Sequence, residues 1–264
     1  MSIYFGSTFA TYNYYDKNAA KALTTKAAEP AVKNDIAYFK ANIGKVKSVD
    51  DFVNNYRLFN FAMTAYGLSD MAHAKAYMKK VLNSDLSDKT SFAMKLTDSK
   101  FVTFAKAFSN LNPTNSLLYT PATTDQVTNN YLAQSLEAEL GQQDQGVQLA
   151  LYFRRNAASV TSAYGLLGDA ALYKVVSTVF NLPDSMGKVD VTQQKKIIDS
   201  KLNIKDLQDP VKVNHLLQRF SAVWDATNNT ASNNPVLALF NIDSSGSTVS
   251  SSVSSSLINL KYGG

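Results

Sequence analysis

The residues best suited to proton transfer or metal ligation are two histidines, His73 and His215, and neither has a partner at ligand spacing. The sequence contains no H-x-x-x-H and no H-E-x-x-H. Asp70 and His73 lie three apart and could share a helix face, but the simpler reading makes Asp70 a helix cap and leaves His73 in solvent. His215 adjoins Leu216 and Leu217 in a helical stripe and reads as a surface or satisfied core residue. Glu137 and Glu139 are two apart on a helix and face different directions, so they cannot act as an acid–base pair. Asp50 and Asp51 serve a helix start. Arg154 and Arg155 could clamp a carboxylate or phosphate. Successive helical residues diverge, however, and a structural role at the surface is expected of both. The 11 glycines form no G-x-G-x-x-G, no P-loop and no G-x-S-x-G elbow. The chain has no cysteine, which removes disulfides, thiol nucleophiles, cysteine zinc sites and iron–sulfur ligation together. No catalytic, cofactor-binding or metal-ligating residue is assigned, no cofactor is expected, and the chain is not expected to be an enzyme.

What would have to position such residues is a chain of 264 residues, long enough for one large domain or two small ones. Its apolar fraction of 45% can fill a core, while its charged fraction of 18% is low. The net charge is +5, yet Lys and Arg are scattered and form no block. The 14 tyrosines and 14 phenylalanines recur at helical core spacing where they can be placed. Neither pattern is that of a nucleic-acid platform, so no nucleic-acid partner is expected. The N-terminal MSIYFGSTFATYNYY has no basic region followed by an apolar run, which argues against a Sec signal peptide. No stretch of 18 apolar residues occurs, so membrane insertion is not expected.

The sequence also repeats itself. At an offset of 114, Ala37–Asp70 aligns with Leu151–Asp184 without a gap, Tyr38-Phe39-Lys40 falling on Tyr152-Phe153-Arg154 and Asn42 on Asn156. At 116, Lys79–Leu86 meets Lys195–Leu202, and at 112, Phe101, Phe104, Ala105 and Phe108 meet Val213, Leu216, Leu217 and Phe220. Three segments in order point to an internal duplication, with units at 31–110 and 145–226. Two copies are too few for an open solenoid, so they are expected to pack face to face.

The periodicity is helical. Phe52, Tyr56, Phe59, Met63 and Tyr66 make one stripe, and Leu166, Ala170, Tyr173, Ser177 and Phe180 make its counterpart. Strict strand alternation is almost absent. The fold class is therefore all-α: a multi-helix globular body built from a duplicated helical unit. A polar N-terminal arm over 1–16 and a short helix near 17–28 make up segment 1–30. Helices are expected at 31–43, 49–66, 71–83, 89–96 and 99–109. A loop at 110–123 leads into a long helix at 124–156 that breaks near Gly141 to Gly146, so segment 111–144 is a linker. Helices resume at 162–180, 190–201 and 210–226. The remainder, 227–264, is an Asn/Ser-rich tail. From Ser244 to Ser256, nine of thirteen residues are serine, a composition expected to stay flexible. Leu257-Ile-Asn-Leu260 beyond it could dock elsewhere or fold back, pairing with Val236-Leu-Ala-Leu-Phe240.

Several of these segments resemble the DUF1217 family: Ile36–Lys40, Val46–Phe52, Tyr56–Phe59, Ala65–Leu68, Met78–Leu82, Gly146–Phe153, Thr161–Tyr164, and Arg219-Phe220 with Trp224. The similarity spans roughly 30 to 226. It implies an alphaproteobacterial protein whose gene often lies among flagellar genes, and it supplies no catalytic residues. The composition, free of Cys and with one Trp, suits a flagellar protein. The expected function is thus a flagellum-associated structural or interaction protein, with flagellar or flagellar-assembly proteins as partners. One alternative is a cytoplasmic adaptor or chaperone for flagellar components. Another is an enzyme or small-ligand binder with a site between the halves, which a buried cluster of ionisable side chains lining a cavity would favour. The location is then the flagellum or the cytoplasm.

Overall fold

A computed structural model describes residues 2–228; the serine run and both apolar stretches of the tail lie outside the described residues. Among the described residues the regular structure is all helical, in fourteen α-helices and several short 3₁₀ turns. The N-terminal arm is the first departure from expectation. A helix, α1, runs from Thr8 to Lys17, with Ser7 capping it through an acceptor bond from the Ala10 N–H, and α2 follows at Ala19–Ala28. The polar look of TFATYNYYDK is misleading. Thr8, Thr11, Tyr12 and Tyr15 are all buried, because their hydroxyls carry polar tips on an otherwise space-filling face.

The first unit contains α3 (Pro30–Asn42), α4 (Val49–Asn54), α5 (Tyr56–Ala65), α6 (Lys75–Leu82), α7 (Ser99–Ala107) and the single turn α8 (Pro113–Ser116). The expected helix over 49–66 is two. Asn55 leaves helical geometry, and its side chain accepts from the Leu58 N–H at 3.2 Å, ending α4 and capping α5. The break swings Tyr56 off the stripe to 65% exposure while Phe52, Phe59 and Met63 stay buried. The segment 89–96 forms only a 3₁₀ turn at Ala93–Lys95, and 71–83 is shortened to α6 preceded by a turn at Ser69–Met71.

Two helices, α9 (Thr124–Gly141) and α10 (Gln145–Asn156), replace the long connector and meet at the expected break. Thr123 and Gln126 close a capping box at the start of α9. Asp144 caps α10 through the Gly146 and Val147 N–H groups and also accepts from Thr8 Oγ1 at 2.7 Å, which ties α1 to this corner. After α10 come α11 (Ala163–Leu167), α12 (Ala170–Val179), α13 (Val191–Lys201) and α14 (Pro210–Asn228). The expected helix 162–180 is also two, broken at Asp169, which caps α12. Asp169 stands 114 residues after Asn55.

Local geometry recurs at that offset. Ser48 and Ser162 cap α4 and α11, and the side chains of Asn42 and Asn156 donate to the Tyr38 and Tyr152 carbonyls, both at 2.8 Å. Gly67 (φ 66°) and Asn181 (φ 48°) both take the left-handed conformation that ends α5 and α12, and the next N–H, of Leu68 or Leu182, reaches back to the Met63 or Ser177 carbonyl at 2.8 Å.

The halves do not pack stripe on stripe. Each fills its own core. The first is aromatic: Phe52 lies 4.7 Å from Phe108 and Phe39 4.4 Å from Phe61, ring centre to ring centre. The second is largely aliphatic, around Leu166, Val175, Val176, Ile198 and Leu217, with Phe153, Phe220 and Tyr12 of α1. A third, small cluster of Tyr15, Leu136, Leu140 and Val147 sits where α1, α9 and α10 meet. From α9, Tyr131 stacks on Phe61 of the first core at 3.9 Å.

Candidate functional site at the junction of the halves

Building from the connector, α9 brings Glu137 to the seam and α10 brings Tyr152 and Arg155. Arg155 donates two hydrogen bonds to Glu137, at 2.8 and 2.9 Å. The Glu137 side chain is only 5% exposed. Burial pushes its carboxyl up, while the two bonds from Arg155 pull it back; the same carboxylate holds the guanidinium of Arg155 raised against its own burial. A surface role for Arg155 is therefore corrected: the residue is an interior tie between α9 and α10. Arg154 points away and pairs with Asp16 of α1 at 2.7 Å.

A second group continues across the seam. Tyr152 donates to Asp169 at 2.5 Å, so Asp169 both caps α12 and receives a phenol. Burial, reinforced by Asp169, pushes Tyr152 upward, and it stays a protonated donor at neutral pH. Lys100 of α7 approaches from the first unit, 3.7 Å from Asp169 and 3.6 Å from Asp98, and lies 5.3 Å from the Tyr152 ring centre. Both carboxylate distances exceed hydrogen-bond length, so its ammonium is loosely held. Close by, Gly168 lets the backbones of the halves touch, since a Cβ there would sit 2.7 Å from the Thr97 carbonyl oxygen.

Two clefts open on either side of Arg155. One, of about 410 Å³, separates the halves and is lined by Lys100, Asn130, Gln134, Tyr152, Asn156 and Asp169 among others. The other, of about 400 Å³, lies between α2, α9, α10 and the start of α14. Leu23, Leu136, Leu151, Leu207 and Val213 line it with Ala19, Ala133, Ala157 and Ala158, so its surface is mostly apolar, and Glu137, Arg154 and Arg155 line it too.

The remaining sequence candidates stay apart. His73 and His215 are both exposed. Asp70 does not cap α6: it sits inside the 3₁₀ turn, and α6 starts at Lys75 after Ala74, which supplies no side-chain cap. Asp50 and Asp51 occupy the first turn of α4, and Asp50 pairs with Lys79. Glu139 faces away from Glu137 and accepts from Ser2 and Lys26. Among the described residues no three His, Cys, Asp or Glu gather as a metal site, and no helix is long and apolar enough to cross a membrane. The involvement of Lys100, Tyr152 and Asp169 escaped sequence reasoning. The one available signal was divergence at the 114-residue offset, where Asp169 and Arg155 stand opposite Asn55 and Ala41.

The architecture defines a class: an all-helical protein of two cores spanned by a connector, with a charged seam and an apolar cleft beside it. The chain belongs to the DUF1217 family, described as proteins of unknown function, whose pattern matches residues 65–213. A crystal structure of an Agrobacterium tumefaciens protein from a structural genomics programme is similar over 87% of this chain and 97% of its own, at 41% identity and a TM-score of 0.77. Among curated proteins none matches.

Proposed function

We propose that this protein acts by binding other proteins, in association with the bacterial flagellum, and not by catalysis. The observation that carries the reading is the apolar cleft between α2, α9, α10 and α14. Four alanines, at positions 19, 133, 157 and 158, and several leucines line it. Such a surface accepts large apolar side chains from one face of a partner helix. The occupant is an apolar helical segment of a flagellar or flagellar-assembly protein; the flagellar part rests on the family resemblance. The ionisable groups at the seam are largely committed to one another, which suits a rigid frame better than proton transfer. Within the same proposal the two halves are copies of one ancestral unit, supported by the caps that recur at a fixed offset.

The test is fractionation of cells producing the tagged protein, with and without flagellar export. Recovery in purified hook–basal bodies or filaments, lost when Ala133→Arg fills the cleft, is the expected result. Retention in the cytoplasm bound to a flagellar subunit moves the protein to the adaptor role. Absence from flagella and from every flagellar complex overturns the proposal.

The ionisable cluster of Lys100, Tyr152, Arg155 and the buried Asp169 that lines the cleft between the halves favours one second reading, an enzyme or small-ligand binder with its site there. Lys100 hangs at 3.6 and 3.7 Å from its carboxylates, beside the amides of Asn130, Gln134 and Asn156. A thermal-shift screen with small carboxylates and sugars, read against Lys100→Met, separates this from protein binding.

A further inference from the structure

The N-terminal segment and the first turn of α1 leave three apolar side chains, Ile3, Phe5 and Phe9, about half exposed, Phe5 with its ring 4.9 Å from that of Tyr14. The segment's backbone is pinned: the Ser2 N–H donates to Glu139, the Ile3 N–H to Tyr15 Oη at 2.8 Å, and the Phe5 N–H to Thr11 Oγ1 at 3.0 Å. Residues 2–5 form no regular secondary structure, and the Tyr4 hydroxyl donates to Asp144 at 3.2 Å. Ile3 is 50% exposed, Phe5 46%, and Phe9, in the first turn of α1, 43%. Apolar side chains on a pinned backbone are normally buried or presented to something.

Position says what that something is. The first turn of α1 is held by Asp225 of α14, which accepts from the Thr8 N–H at 2.7 Å and the Phe9 N–H at 3.0 Å. Asp225 lies three residues before Asn228, so the described residues end about one helical turn from the first turn of α1. The first apolar run in that segment is Val236-Leu-Ala-Leu-Phe240, after Asn233-Asn-Pro235. The seven residues from 229 to 235 can span up to about 24 Å, ample to return to Phe9. The next apolar run, Leu257–Leu260, is separated by the serine-rich stretch and gains nothing from this proximity.

We infer that Val236–Phe240 docks intramolecularly on the exposed side chains of Ile3, Phe5 and Phe9. Those side chains supply apolar contact on a pinned backbone, and the short tether supplies a high effective concentration.

Because the chain has no cysteine, the test is a disulfide race. Phe9→Cys with Ala238→Cys is oxidised in the full chain and compared with Phe9→Cys with Asn259→Cys and with Tyr56→Cys with Ala238→Cys. The inference expects an intramolecular bridge between positions 9 and 238 at least about tenfold faster than in either comparison pair. Equal rates overturn it, as does a dominant intermolecular bridge between two copies at position 9, which assigns these side chains to a second chain. A single Phe9→Cys variant gives an independent reading. Thiol labelling is expected to speed up about tenfold when the chain is ended at Asn228, and an unchanged rate overturns the inference.

Discussion

Removing the negative charge of Glu139 should make stability less dependent on pH in a defined window. Glu139 accepts from the Ser2 N–H at 2.9 Å, from Ser2 Oγ at 2.8 Å and from Lys26 Nζ at 2.5 Å, joining the N-terminal segment and α2 to α9. Burial opposes ionisation, but hydrogen bonds from Lys26 and Ser2 outweigh it and bring the carboxyl from its ordinary 4.5 down to about 2. A carboxyl depressed on folding adds stability above its unfolded value, and that contribution drains away as pH falls from 4.5 toward 2. Undiminished, the depression is worth about 3 kcal/mol at neutral pH. The side chain is a quarter exposed, so solvent screening reduces this to about 1–2 kcal/mol. Glu139→Gln keeps the shape and removes the charge. Urea unfolding at pH 6 should show the variant about 1–2 kcal/mol less stable, and by pH 3 more than half of that gap should be gone. A gap of equal size at both pH values would refute the reasoning, because it would mean that the loss comes from shape rather than from the ionised carboxylate.

Other sites give sharp expectations. At Gly146 an added Cβ would lie 2.4 Å from the Trp224 indole and 2.8 Å from Thr8, so Gly146→Ala should lower stability by about 1–3 kcal/mol in a denaturant melt. Asn115 is fully buried, accepts from the Leu86 N–H at 3.0 Å and donates to the Ser84 carbonyl at 2.8 Å. Asn115→Ala should therefore cost about 1–3 kcal/mol and speed hydrogen exchange at Leu86. Arg155→Met, which leaves the buried Glu137 carboxylate unpaired, should cost about 3–5 kcal/mol, Glu137→Leu less because the quarter-exposed Arg155 keeps access to water, and the double variant should recover most of the larger loss in a double-mutant cycle.

Helices were legible wherever apolar spacing and punctuation agreed. Pro30 and Pro210 open α3 and α14, and Ser48 opens α4, each marked by the residue type the position requires. The breaks at Asn55 and Asp169 were hidden because the apolar period runs straight through them; a side chain capping its own downstream turn redirects the chain without disturbing the pattern. The N-terminal helix was hidden for another reason. Thr8, Thr11, Tyr12 and Tyr15 read as polar, yet Asp144, Asn214 and backbone groups satisfy their hydroxyls inside. Of the junction, sequence reading reached Arg155 and Glu137 but put the arginine at the surface. Their pairing spans two helices and a turn, and the approach of Lys100 to Asp169 spans the halves, so neither follows from spacing within one element.

The central claim is that the apolar cleft receives a partner helix. A photo-crosslinking amino acid at Ala158, which is exposed and lines the cleft, tests it in flagellated cells. The account predicts one dominant adduct with a flagellar or flagellar-assembly protein. That adduct should disappear in the Ala133→Arg background and be absent when the probe sits at exposed Tyr56. An adduct pattern that is the same from both positions, or that survives filling of the cleft, would contradict it.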